Sequence, residues 1–126
     1  MKMNEKVLLE LKKLGLMPED QEGNILFKYQ MLPYLYLNDA DDEDYYALYV
    51  PYVQEVTDEN EYEVLKAMNE CNNSIKSVKL VNNGGHVWIG YELRLPPDTD
   101  LSGLVEYTVR GLYGAWMKFD MEMKGL

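Results

Sequence analysis

The chain holds one histidine, His86, and one cysteine, Cys71, among 126 residues. That inventory removes most nucleophile–base pairs before any fold is considered. Cys71 falls on the apolar side of a helical pattern, where a thiol is an inert core residue. His86 opens a hairpin strand beside Gly85 and reads as a solvated turn residue rather than a general base. Zinc requires several Cys and His at fixed spacings, and these are missing. No Gly-x-Ser-x-Gly elbow supports a Ser/His/Asp triad. Asn82-Asn83-Gly84-Gly85 lacks the Lys-Ser/Thr ending of a phosphate loop, and a hairpin rather than a helix follows it. The sequence therefore predicts no catalytic residue, no cofactor and no enzyme.

Carboxylates are the other candidates. Ten acids lie between Asn38 and Glu63 with no Lys or Arg among them, which leaves twelve acids against twelve bases elsewhere. An EF-hand loop started at Asp39 places Asp41 and Glu43 at its third and fifth positions. It then puts Asp44 where Gly is needed and Val50 where a bidentate Glu is needed, so the match fails at its two most demanding positions. A solvated turn is the favoured reading and no metal ligand is assigned. A small-ligand or calcium-binding module using Asp39–Asp44 is the alternative.

Tyrosine supplies the third signal: seven of the eleven fall between Tyr29 and Tyr52. In the run Tyr45 to Val53, alternation places Tyr45, Tyr49 and Val53 on one face and Tyr46, Leu48, Val50 and Tyr52 on the other. A sheet covered on one side carries polar residues on its open side. Here both faces are apolar or aromatic, so one of them is a candidate contact surface, and Tyr and Trp are enriched at binding hot spots. The candidate partner-binding residues are Tyr46, Tyr52 and Trp88, with Asp39, Asp41, Asp42 and Asp44 steering a basic partner.

The elements that would position these residues are legible from periodicity. Val7, Leu8, Leu11 and Leu14 form one stripe of a short helix that Gly15 stops. Ile25, Phe27 and Tyr29 alternate as a strand, Leu32 to Leu37 is a second, and Tyr45 to Val56 is a third. Asp58 and Glu61 match a capping box for a helix buried through Val64, Leu65, Met68, Cys71 and Ile75. Val78–Val81 and Val87–Leu95 flank Asn82-Asn83-Gly84-Gly85, the strongest hairpin signal in the chain. A long helix is expected from about Asp100 towards Met123, with Gly111 and Gly114 justified by close packing on the sheet. The predicted order is α-β-β-β-α-β-β-α: one α+β domain, an antiparallel sheet packed by helices.

Bulk properties narrow the partners. A net charge of −10 disfavours nucleic acid and anionic membrane. No apolar run reaches the ~18–20 residues of a membrane span, and the charged N-terminus does not read as a secretory signal. A lone cysteine fits a reducing compartment, so the expected location is the cytoplasm.

Ile25-Leu26-Phe27-Lys28-Tyr29, the Asp39–Asp44 turn, Tyr45-Tyr46-Ala47-Leu48-Tyr49-Val50-Pro51, and Lys66-Ala67-Met68-Asn69-Glu70-Cys71-Asn72 followed by Val78-Lys79-Leu80 together resemble the YbjN-like family. Its members are described as bacterial sensory transduction regulators. The resemblance runs from about Asn24 to the C-terminus and rests on motif order. It implies a type III secretion chaperone-like fold and no active site. A basic residue near Ala47 in the family pattern is lost here, which would leave the acidic segment uncompensated. The expected function is a non-enzymatic interaction or regulatory protein with a protein or peptide partner, forming a homodimer.

Overall fold

A computed structural model describes residues 1–126. Its elements are α1 (Met3–Lys13), β1 (Glu19–Gln21), β2 (Asn24–Tyr29), β3 (Leu32–Tyr36), β4 (Tyr45–Glu55), α2 (Glu61–Ser74), β5 (Val78–Asn83), β6 (His86–Arg94) and α3 (Leu104–Met123). All strand pairs are antiparallel and form one six-stranded sheet in the order β1-β2-β3-β4-β6-β5. The α+β class and the antiparallel sheet are as expected. The short edge strand β1 is additional: its three residues are charged or polar and fully on the surface, so they carry no alternation. A two-residue turn at Glu22-Gly23 joins it to β2, with both φ values positive.

Register shows how the sheet sorts its side chains. Ile25 faces Tyr36, Tyr36 faces Leu48, Leu48 faces Tyr91 and Tyr91 faces Val78. Residues opposite one another share a face, so this row crosses five strands on one side of the sheet. All three helices cover that side. Val7 and Leu11 of α1, Val64, Met68 and Cys71 of α2, and Val105, Val109, Leu112 and Phe119 of α3 join the strand residues in one core cluster. Apolar burial on this face is the main stabilising term of the fold.

Several local expectations change. Asp58 is not the helix cap; α2 begins at Glu61 after Asn60. The Thr57 N–H donates to Asn60 Oδ1 at 2.7 Å, and the Asn60 N–H donates to Thr57 Oγ1 at 3.3 Å. A reciprocal pair three residues apart is thus present one residue earlier than expected, because Thr57 and Asn60 satisfy both N–H groups while Asp58 stays in water. Leu65 is 46% exposed, and Ala67 takes its place in the buried stripe. Residues Asp100 to Gly103 form a turn ahead of α3, in which Asp100 Oδ1 accepts the Ser102 N–H at 2.9 Å. Gly111 lies against Tyr91: a Cβ there would meet the Tyr91 hydroxyl at 2.5 Å. Gly114 has open space around it, so packing does not explain that glycine.

Candidate functional site

No helix packs on the second face of the sheet. Its central row runs Leu26, Leu35, Tyr49, Gly90 and Lys79 across β2, β3, β4, β6 and β5. Beside this row lie Tyr45, Ala47, Trp88, Glu92 and Arg94.

A polar knot sits at its centre. Tyr45 and Tyr49 donate their hydroxyls to Glu92 Oε2 at 2.5 and 2.6 Å, and Lys79 pairs with Oε1. The sequence makes room for this by two small residues. Ala47 stands opposite Glu92 and separates the two tyrosines. Gly90, with no side chain, lets the Tyr49 ring lie across it; a Cβ at Gly90 would meet that ring at 2.4 Å. Partial burial of Glu92 opposes its charge, but the bonds from Lys79, Tyr45 and Tyr49 outweigh it and hold the carboxyl down at about 2. Burial, then the bond to that carboxylate, pushes the Tyr49 phenol far above its ordinary value. Glu92 is therefore a fixed anion with its acceptors occupied, unsuited to general acid–base work.

At one end of the face the acidic turn is partly neutralised. Asp42 takes a bidentate bond from Arg94 at 2.8 and 2.9 Å, and the guanidinium sits 5.9 Å above the Tyr45 ring centre. The hydrogen bond to Arg94, opposed by a little desolvation, holds the Asp42 carboxyl below the usual carboxylate range. The acidic segment, expected to be uncompensated, thus has one basic partner in Arg94. Asp39 and Asp41 are exposed, and Asp44 is half-buried. Asp39 is turned inward on its own loop, its carboxylate accepting the Asp41 N–H at 3.1 Å. No group of three or more His, Cys, Asp or Glu side chains converges anywhere in the chain.

At the other end Tyr52, 67% exposed, stands edge-on over Trp88 and His86 with ring centres 5.2 and 5.4 Å apart. Trp88 is 9% exposed, and its indole N–H finds no acceptor in the chain. The expected common face of Tyr46 and Tyr52 does not exist. Tyr46 is 0% exposed on the helix-covered side, where its hydroxyl shares a 2.7 Å bond with Thr108 Oγ1. The β4–β6 register runs regularly to Val50–Ile89 and resumes at Gln54–Val87, a bulge through Pro51, Tyr52 and Val53. Two extra residues on β4 keep Val50 and Gln54 on one side, and within the bulge Tyr52 takes a left-handed φ of +52° and turns outward.

Of the sequence candidates, the structure gathers Tyr52, Trp88 and Asp42 on or beside the open face, with the rest of the acidic turn at its end. It removes Tyr46 to the core. Tyr45, Tyr49, Lys79, Glu92 and Arg94 belong to the same face and were not singled out. The signal for them was modest: Glu92 and Arg94 occupy the polar parity of the last strand, and Tyr45 and Tyr49 share a face. No helix of the structure is long and apolar enough to cross a membrane. Comparison with family models, with curated proteins and with solved structures finds no match to this chain.

Proposed function

We propose that this chain is a non-enzymatic protein-interaction or regulatory module that docks a protein segment on its open sheet face. The observation that carries the reading is that face itself: it presents Tyr45, Tyr49, Tyr52 and Trp88 with Leu26 and Leu35, and no helix covers it. Aromatic anchors over a flat sheet supply contact area at low entropic cost. The buried Trp88 N–H lacks an acceptor in the chain, which costs about 1–3 kcal/mol.

Charge chooses the occupant. The chain carries −10, and the turn beside the face holds five acids, of which Asp42 alone has a basic partner. The partner is therefore a segment with basic residues beside apolar ones, drawn in by long-range attraction and seated by the aromatic rings. From Arg94 to Trp88 is six residues of β6, roughly 20 Å at ~3.3 Å per residue, so an extended segment of about seven residues spans the face. The resemblance to the YbjN-like family, which implies a chaperone-like fold without an active site, is consistent with this reading.

Fluorescence titration with an alternating Leu/Lys peptide of that length tests it, using a Leu/Glu peptide as control. The basic peptide should bind and weaken steeply as salt rises, and Tyr52→Ala should cost tenfold or more, about 1.4 kcal/mol. Equal binding of the acidic peptide, or no loss in Tyr52→Ala, would overturn the proposal. So would light scattering that shows a dimer in which Tyr52 is protected, since a second copy would then occupy the face.

A further inference from the structure

α3 packs on the sheet through Val105, Val109, Leu112 and Phe119. On its opposite side Tyr107, Arg110, Gly114, Met117 and Met121 follow at spacings of three, four, three and four residues. That is the spacing of a helix-pairing seam. All five are exposed, Tyr107 by 68% and the two methionines by 46 and 47%.

Gly114 is the member of this stripe that the chain itself does not explain. Glycine inside a helix costs about 1 kcal/mol against alanine, and a Cβ built here would meet nothing within 4 Å. No turn requires it either, since the helix continues through it from Leu104 to Met123. A missing side chain on an exposed seam is what the close approach of a second helix needs.

The stripe is symmetrical about that glycine. Tyr107 and Met121 each stand seven residues from Gly114, and Arg110 and Met117 stand four and three residues away. An antiparallel copy crossing at Gly114 therefore sets Tyr107 against Met121, Arg110 against Met117 and Gly114 against itself, a two-fold contact. Parallel pairing would instead set Arg110 against Arg110, two like charges. A thioether sulfur beside a tyrosine ring is a favourable contact. Next to Tyr107 lies a groove of about 570 Å³ with Tyr91 and Gly111 in its wall, and the antiparallel arrangement brings Met121 of the second copy to its mouth.

Charge selects a copy of the same chain over the basic segment proposed for the open face. From Leu104 to Lys124 three acids and three bases form three i, i+4 pairs: Glu106 with Arg110, Lys118 with Glu122, and Asp120 with Lys124. The stripe is neutral while the molecule carries −10. It offers a basic partner no attraction, and two such chains meet there without local repulsion.

We propose that the outer stripe of α3 is a self-association surface, on which a second copy of this chain docks antiparallel with the two helices crossing at Gly114. The seam from Tyr107 to Met121 is about 21 Å long at ~1.5 Å per residue. That is short for a permanent interface, so the dimer is weak and reversible. It lies on the helix-covered side and leaves Tyr52 and the open face free, and it does not rest on the open-face reading.

Sedimentation equilibrium of the full chain tests it, from about 10 μM to about 1 mM protein, in low and in high salt. A monomer–dimer equilibrium should appear and tighten as salt rises, because salt screens the −10 of each copy. Gly114→Glu places two carboxylates at the crossing point and should weaken the dimer by roughly tenfold or more. Its monomer should be at least as stable as the parent, since glycine leaves a helix interior with open space around it. Gly114→Cys should form a disulfide-linked dimer on mild oxidation faster than Tyr62→Cys, an exposed site on α2. A two-fold at Gly114 holds the two Cβ atoms near the ~4 Å that a disulfide needs, and Cys71, at 0% exposure, does not compete. A monomer at about 1 mM in high salt, an association unchanged in Gly114→Glu, or cross-linking of Gly114→Cys no faster than Tyr62→Cys would overturn the proposal. So would a dimer that protects Tyr52 and persists in Gly114→Glu, which would place the second copy on the open face.

Discussion

The two faces of the sheet use tyrosine in opposite ways. Under the helices Tyr34, Tyr36 and Tyr46 are fully buried, and their rings fill the core. Their hydroxyls meet neutral partners: Tyr34 donates to the Val109 carbonyl at 2.7 Å, and Tyr46 shares its bond with Thr108. Burial pushes all three phenols up, which keeps them uncharged in a site where an anion would be costly. On the open face Tyr45 and Tyr49 point at a charge, Glu92, which Lys79 balances at the edge of solvent. Buried tyrosines close the fold; half-buried ones stiffen a surface and leave their rings available. One residue type thus serves packing or presentation according to what covers it.

The contrast can be broken at several depths. The largest effect is expected from Tyr34→Ala, which opens a cavity under α3 and removes the added bond to the Val109 carbonyl. It should cost about 3–5 kcal/mol in denaturant unfolding. Gly90→Ala comes next on the open face, because its Cβ would meet the Tyr49 ring at 2.4 Å. Lifting that ring off Glu92 should cost about 1–3 kcal/mol. Tyr46→Phe removes one buried hydroxyl bond, and Thr108 keeps its bond to the Val105 carbonyl; about 1 kcal/mol is expected.

Glu92 sharpens the comparison through pH. Its folded carboxyl sits at about 2 against an ordinary 4.5. A depressed value means that the folded state binds the proton more weakly than the unfolded chain does. Its stabilisation is therefore complete above about pH 4.5 and fades as pH falls towards 2. Glu92→Gln should remove that portion of the acid dependence in melts recorded between those limits. Tyr52→Ala closes the series. Stability should change by no more than about 0.5 kcal/mol, while peptide binding weakens tenfold or more. A cost approaching that of Tyr34→Ala would mean that the outer aromatic ring is structural, and the distinction between the faces would fail.

Much of this architecture is legible in the sequence. Alternation along Ile25–Tyr29 and Val87–Leu95, the Asn-Gly-Gly hairpin and the stripe of α3 each depend on neighbours a few residues apart, and periodicity records such relations directly. β1 escaped because three exposed polar residues have no alternation to read, although Glu22-Gly23 carried a turn signal. The turn at Gln30-Met31 has positive φ at both residues without the usual Gly or Asn, so local chemistry did not mark its geometry. Gly111 and Gly114 look alike in the chain; only the position of the Tyr91 ring separates them.

Sequence by itself determined the α+β class, the main elements, the thin catalytic inventory and the concentration of charge before and after β4. These follow from composition and short-range pattern. Tertiary structure alone decided which tyrosines face water. A bulge at Pro51–Val53 turns Tyr52 out of the alternation that had joined it to Tyr46, and which way a bulged residue points depends on the partner strand. Structure also brought Glu92 to Tyr45 and Tyr49 across more than forty residues of chain, and Asp42 to Arg94 across fifty-two. Such pairs depend on strand order and register, which arise from packing the whole sheet against its helices.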